Sequence, residues 1–291
     1  MGDSPFGLVL DAGAMLAEGP VWDDRTGTLL WVDILDGAVH RLDPVTGRDE
    51  VARIGTPVGA AALTESGRLL LAVEAGFAEL GPEGTAELFA PVEADRADHR
   101  MNDGKCDAAG RMWAGTNSYD FVPGESTLWR LDPDGSVTAV LGGMTLCNGL
   151  GWSPDGSTMY VIDSLRLRLD AYDFDVDTGE LAGGRTLITF ADDGSLPDGM
   201  TVDAQGGLWV AMYAGAAVRR YRPDGRLDEV LAAPTAQPTC PTFGGPDLDQ
   251  LYLTTAAQAL SPEQLAGDPL AGGIFRADVG VRGLPAGRFG R

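Results

Sequence analysis

The sequence predicts an all-β protein, a six-bladed β-propeller of four-stranded antiparallel blades in which the N-terminal strand closes the last blade. Three observations lead there. A unit of strand, polar turn and aromatic strand recurs six times, its copies are evenly spaced, and the last copy is one strand short. The unit is clearest from Asp198 to Trp209, where an apolar strand (Met200 to Val202) meets a turn closed by Gly206 and Gly207, and a second strand rises into Trp209. Asn148 to Tyr160 and Asn102 to Trp113 repeat it closely, and Glu18 to Trp31 carries one extra residue in the turn. Gly59 to Leu70 and Thr239 to Tyr252 are weaker copies. The copies begin at 18, 59, 102, 148, 198 and 239, and a period of about 40 to 50 residues is that of propeller blades and related arrays.

Each copy continues past its aromatic strand into further strands. After Trp31 come GAVHRLDPVTG and EVARI; after Leu70, FAELGPEG and TAELFA; after Trp113, STLWRLDPDG and SVTAVL. After Tyr160 come LDAYDFDVDTG and TLITF, and after Trp209, AVRRYRPDG and LDEVLA. In the Asp-Pro-x-x-Gly turns among them proline presets φ and glycine accepts positive φ, so consecutive strands fold back antiparallel. The sixth copy stops at three strands, ending in GGIFRADVG, and Phe6 to Leu10 can supply the fourth. That closure leaves no open seam in the ring. A β-sandwich also uses many short strands but does not account for six copies of one unit. The best helical segment is Ser261 to Gly267, with Ser261 as cap and Pro262 at the first helical position. The whole chain, 1–291, is expected to form one domain.

Composition narrows the function classes. Lys and Arg number 21 against 43 Asp and Glu, a net charge of −22, which repels nucleic-acid phosphates and anionic membranes. Neither partner is expected. The first residues carry no basic leader, and no segment reaches the ~20 apolar residues of a membrane span. A cytoplasmic monomer or small homo-oligomer is expected. The three cysteines, Cys106, Cys147 and Cys240, lack CxxC spacing and read as structural thiols.

In a propeller the first strand of every blade lines the central channel, so positions 18, 59, 102, 148, 198 and 239 should converge at one mouth. Four are oxygen donors: Glu18, Asn102, Asn148 and Asp198. Two carboxylates and two amides around one axis suit one divalent cation (Ca2+, Mg2+, Mn2+, Zn2+ or Fe2+), and would be costly together without one. Taken singly, an Asn or Asp at a strand start is as well explained as a turn former. Four at one register are not. The two histidines form no catalytic motif: His40 falls in a third strand, and His99, in the loop before Asn102, is a further candidate for touching substrate. Asp103, Asp107 and Asp203 read as turn and blade-packing residues, while Tyr213 and Asp163 fall just past second strands, near the mouth.

Four segments, Glu18-Gly-Pro, Arg100-Met-Asn-Asp-Gly-Lys105, Asn148-Gly-Leu150 and Pro197-Asp-Gly-Met200, resemble the signatures of the regucalcin/gluconolactonase family of sugar lactonases, in the same order and from about Leu16 to Gly280. The resemblance implies a divalent metal held by Glu18, Asn148 and Asp198, with Arg100 and Asn102 contacting substrate. A further acidic contact of the family falls nearest Asp120, in a loop from Asn117 to Glu125 that departs from the family in length and content. It also implies opening of a sugar lactone, an aldono-lactone, to the sugar acid by a metal-activated water. No histidine stands at the mouth, so a carboxylate must take the proton, and the family favours Asp198 over Glu18. For Arg100, a surface ion pair with Asp98 or Asp103 is the plain alternative. Two other functions remain open: a related metal-dependent phosphotriesterase or aryl esterase, and a non-catalytic metal-binding propeller.

Overall fold

The computed structural model describes residues 4–81 and 84–290. It folds into six four-stranded antiparallel sheets arranged as blades. Their innermost strands are Ala17–Asp23, Val58–Leu63, His99–Cys106, Cys147–Trp152, Leu196–Val202 and Pro238–Gly244, in blades 1 to 6. The sixth blade is completed by Gly7–Leu10, which pairs with Ile274–Asp278 so that Gly7 faces Arg276 and Leu8 faces Phe275. This is the closure expected from the strand missing after the sixth repeat. The expected turn at Gly81-Pro82-Glu83-Gly84 falls partly outside the described residues, which omit 82 and 83.

Six apolar clusters hold the ring together, each between two neighbouring blades. Val21, Leu30 and Val32 of blade 1 meet Ala61 and Leu71 of blade 2; Trp22 and Trp31 of blade 1 meet Tyr252 and Ile274 of blade 6. An inner or middle strand is therefore buried on both faces, which is why these strands read as continuous apolar runs. The fourth strands are largely exposed, as in Arg48–Arg53. The aromatic residue of the repeat is tied to its turn: the Nε1–H of Trp113 and of Trp209 donates to Asp107 and Asp203, each at 2.9 Å. The other oxygen of each aspartate accepts two backbone N–H groups of that same turn. These two aspartates are turn and packing residues, as expected.

Helix is scarce among the described residues: one 3-10 turn, Ser164–Arg166, and Pro262–Gly267, capped by Ser261 with Pro262 first as expected, and with Gln264 completing a capping box. No described helix is long and apolar enough to cross a membrane. All three cysteines lie buried and free in innermost strands.

Every innermost strand has a β-bulge at the start of its repeat. In blade 3, Met101 faces Thr116 and Gly104 faces Ala114, so Asn102 and Asp103 stand against Gly115 alone. In blade 5, Pro197 faces Met212 and Met200 faces Val210, leaving Asp198 and Gly199 against one residue. Blades 1, 2, 4 and 6 shift register after Glu18, Val58, Asn148 and Pro238. A bulge frees a residue from the ladder and re-aims its side chain. In blades 3 and 5 the bulged residues include the donors Asn102 and Asp198, whereas Glu18 and Asn148 pair with Val32 and Ile162 and the bulge follows them.

Candidate functional site

Residues at or beside the bulges bond across from blade to blade. Asn102 Nδ2 donates to the Cys147 carbonyl (3.0 Å), binding blade 3 to blade 4. Asn148 Nδ2 donates to Ser164 Oγ (3.1 Å) and, at short range, to Asp198 Oδ1, binding blade 4 to blade 5. Thr239 Oγ1 donates to the Ala17 carbonyl (2.6 Å), which ties blade 6 to blade 1 beside Glu18. Gly59 contributes no side chain, and none would fit: a Cβ there would stand 2.3 Å from the Asn102 carbonyl oxygen.

Glu18, Arg100, Asn102, Asn148 and Asp198 are each at most 8% exposed. Arg100 Nη1 donates to Asn102 Oδ1 (2.8 Å) and to its neighbour's carbonyl at Met101 (2.9 Å). Asp98, its alternative partner, binds Arg96 instead. Arg100 is thus a buried cation of the mouth, not half of a surface ion pair. Its guanidinium is pulled below its usual range by burial, offset by Tyr119, Glu18, Asp198 and Glu74. Burial also pushes the Glu18 carboxyl well up, helped by the charges of Asp198 and Asp103; Asp198 is pushed up by burial and by Asp103.

One atom stands out. Asn148 Oδ1 is buried without a hydrogen-bond partner, while the nitrogen of the same amide is fully engaged. An unmet buried acceptor, on an amide bonded to one buried carboxylate that acts on a second, is a costly arrangement for which a bound cation is the ordinary remedy. The donors Glu18, Asn148 and Asp198 are hard oxygens, so the residues fit a divalent ion. Asn102 differs: both ends of its amide are already bonded.

Asp103 corrects the sequence expectation. It is no turn residue but a 3% exposed carboxylate whose charge acts on Glu18 and Asp198. The signal was in the repeat. Where the other three donors are followed by glycine (Gly19, Gly149, Gly199), Asn102 is followed by Asp103. Asp163, a candidate for the mouth, instead accepts the N–H groups of Thr145 and Leu146, as Asp33 does for Met15 and Leu16. Tyr213 does stand near the mouth, its hydroxyl pushed up by burial and also acted on by Asp198. Asp120 lies exposed on the turn after Met112–Ser118, and no described hydrogen bond joins it to Arg100 or Asn102. Its neighbour Tyr119 bonds Glu74 of blade 2.

His40 is stacked on Trp31 and bonded to Asp49. His99 is locked between Glu93 (2.6 Å) and Glu125 (3.3 Å), and the ligand atoms of Asp98, His99 and Glu125 lie within 4.8 Å of one another. That rim cluster already holds a cation, since Arg96 bonds both Asp98 (3.1 Å) and Glu125 (2.8 Å). The larger described cavity, about 500 Å³, opens at the opposite end of the channel between Trp22, Trp152, Phe243 and residues 284–287, away from the donors.

Fold and mouth together define a class: six-bladed propellers of lactonase type, with an oxygen-rich centre where the inner strands begin. The chain belongs to the SMP-30/Gluconolactonase/LRE-like family, whose model matches residues 16–257. It is 38% identical to regucalcin of Xenopus laevis over 282 residues, covering 94% of each chain. Among solved structures it resembles a calcium-binding protein, regucalcin, from Agrobacterium tumefaciens, with a TM-score of 0.94 and 29% identity over 99% of this chain and 98% of the other. A luciferin-regenerating enzyme matches with a TM-score of 0.91 and 30% identity over 99% of both.

Proposed function

We propose that this protein is a metal-dependent hydrolase that opens a sugar lactone, an aldono-lactone, to the sugar acid. The observation that carries the proposal is the orphaned Asn148 Oδ1, on an amide that bonds the buried Asp198 carboxylate, whose charge in turn acts on the buried Glu18. The name of the Agrobacterium relative, a calcium-binding protein, supports a cation there. Glu18, Asn148 and Asp198 would hold it. When bound, such an ion polarises a carbonyl and acidifies water. Arg100, with donors left over after Asn102 and Met101, would hold substrate oxygens beside the centre, and Asn102 would fix the Arg100 fork. Asp198, the carboxylate bonded to Asn148, would take the proton of the attacking water.

The test is a pH-stat assay of chelator-stripped protein across aldono-lactones, with an aryl ester and a phosphotriester as comparators, after adding Ca2+, Zn2+, Mn2+, Mg2+ or Fe2+ in turn. Metal-dependent acid release on a lactone, above both comparators, is expected. Asp198→Asn should then retain part of its metal yet lose about 10² to 10⁴ in rate under saturating metal, the usual contribution of a general base. Near-normal turnover of that variant would make Asp198 a ligand only. A stripped protein as active as the loaded one would remove the metal from the reaction.

A further inference from the structure

Blade 3 departs from its siblings at one position. After the donor, blades 1, 4 and 5 place glycine, and two of these glycines have no room for a side chain: a Cβ on Gly149 would lie 2.6 Å from the Asp198 carbonyl oxygen, and one on Gly199 2.4 Å from Cys240 Cβ. Blade 3 places Asp103 there, within the bulge that sets Asn102 and Asp103 against Gly115. Asp103 is 3% exposed, and neither carboxylate oxygen receives a well-formed hydrogen bond; only the Gly104 N–H and the charge of Lys105 act on it favourably. Lys105, the single lysine of the chain, is two residues on, and its charge acts on Asp103. Its Nζ is pinned by the carbonyls of Met200 (2.8 Å) and Leu150 (3.3 Å), in the two blades that carry Asp198 and Asn148. Three buried carboxyl groups, Glu18, Asp103 and Asp198, thus face two cations, Arg100 and Lys105, and with all three ionised the balance falls short by one positive charge.

We infer that Asp103 is a positioning residue of the mouth: it does not ligate, but its uncompensated charge, set against that of Lys105, decides how strongly the mouth holds a divalent cation. The inference rests on the mouth being a cation site. A charge role makes a prediction of opposite signs that a packing role does not. Removing the negative charge weakens cation binding, and removing the positive one strengthens it.

The experiment is calorimetric titration of Ca2+ alone into chelator-stripped full-length protein, for the parent, Asp103→Asn, Lys105→Met, the double variant and Glu18→Gln. Asp103→Asn should weaken Kd at least about tenfold, the size expected for a residue behind the ligands. Lys105→Met should tighten Kd, and the double variant should return close to the parent. In cation-free buffer Asp103→Asn should melt no lower than the parent, because a buried charge without a hydrogen-bond partner has been removed. If Asp103→Asn does not fold, the Lys105→Met arm still decides. A Kd weakened by both single changes, or unmoved by Asp103→Asn while Glu18→Gln weakens it, overturns the inference. A Kd unmoved by Glu18→Gln as well overturns the cation site itself, and the inference with it.

Discussion

Glu18 and Asp198 are carboxylates that the fold has driven toward their neutral forms, by burial first and by facing charges second. The sign of the consequence follows. Their folded values lie above the unfolded ones, so between the two the native protein binds more protons than the unfolded chain, and stability falls as pH rises through that window. Calorimetry of the cation-free protein should therefore show Tm dropping as pH climbs from the ordinary carboxylate range toward the raised values. With saturating Ca2+ the drop should flatten, because binding to the native state offsets the charge; an identical slope with and without Ca2+ would place the ion elsewhere. Arg100 carries a separate expectation. Arg100→Ala should leave metal content intact and reduce kcat/KM on the best lactone by about 1 to 3 kcal/mol, the loss of a charged hydrogen bond; an unchanged kcat/KM would return it to a purely structural role. At this scale the four donors were legible because identical register makes identical direction, and residue type then names the chemistry. Asp103 was not, because whether a side chain one place further on points to the axis depends on the extra residue of the bulge, which strict alternation of faces does not contain.

The element that makes the mouth is the bulged first strand. Gly19 sits in its bulge at φ +53°, where a side chain would be strained, and Gly149 lies against the Asp198 backbone. Glycine there lets neighbouring inner strands approach closely enough for Asn148 to reach Asp198. Gly149→Ala, whose new methyl would press on backbone, should destabilise the protein by about 1 to 3 kcal/mol, as overpacking does, measured by denaturant unfolding. It should weaken Ca2+ binding in the same variant, although residue 149 is no ligand; normal stability and normal binding together would show the strands free to shift. The strand–turn–strand unit was readable from composition alone, since Asp, Gly and Trp each have a fixed task in it: Asp203 caps the turn and holds the Trp209 indole. The turn at 117–125 was less readable. Its conformation is set by contacts from distant segments, such as Asp98 to Tyr119 and Arg96 to Glu125, which no local pattern announces.

For the molecule as a whole, closure is the decisive feature. Gly7–Leu10 covers the edge of Ile274–Asp278, and Phe6 packs into the cluster shared by blades 5 and 6. Deleting residues 1–10 should lower Tm and, because an unpaired strand edge is exposed, shift the protein toward association on size-exclusion chromatography. A truncated chain that stays as stable and as dispersed as the parent would show the seam to be held by blade contacts alone. Six repeats and one missing strand were enough to foresee this ring, because counting needs no coordinates. The bulges have a further meaning at this scale. The bulges release residues 102 and 198 from the ladders, while 18 and 148 pair with Val32 and Ile162 just before their bulges, so at none of the four does strand pairing dictate the type of side chain. The ring behaves as a socket whose pins can be exchanged while the housing stays the same, with one pin position, Gly59, permanently blanked by its neighbour. New chemistry on such a frame is reached by changing a handful of letters while the strand pairing of the ring stays as it is.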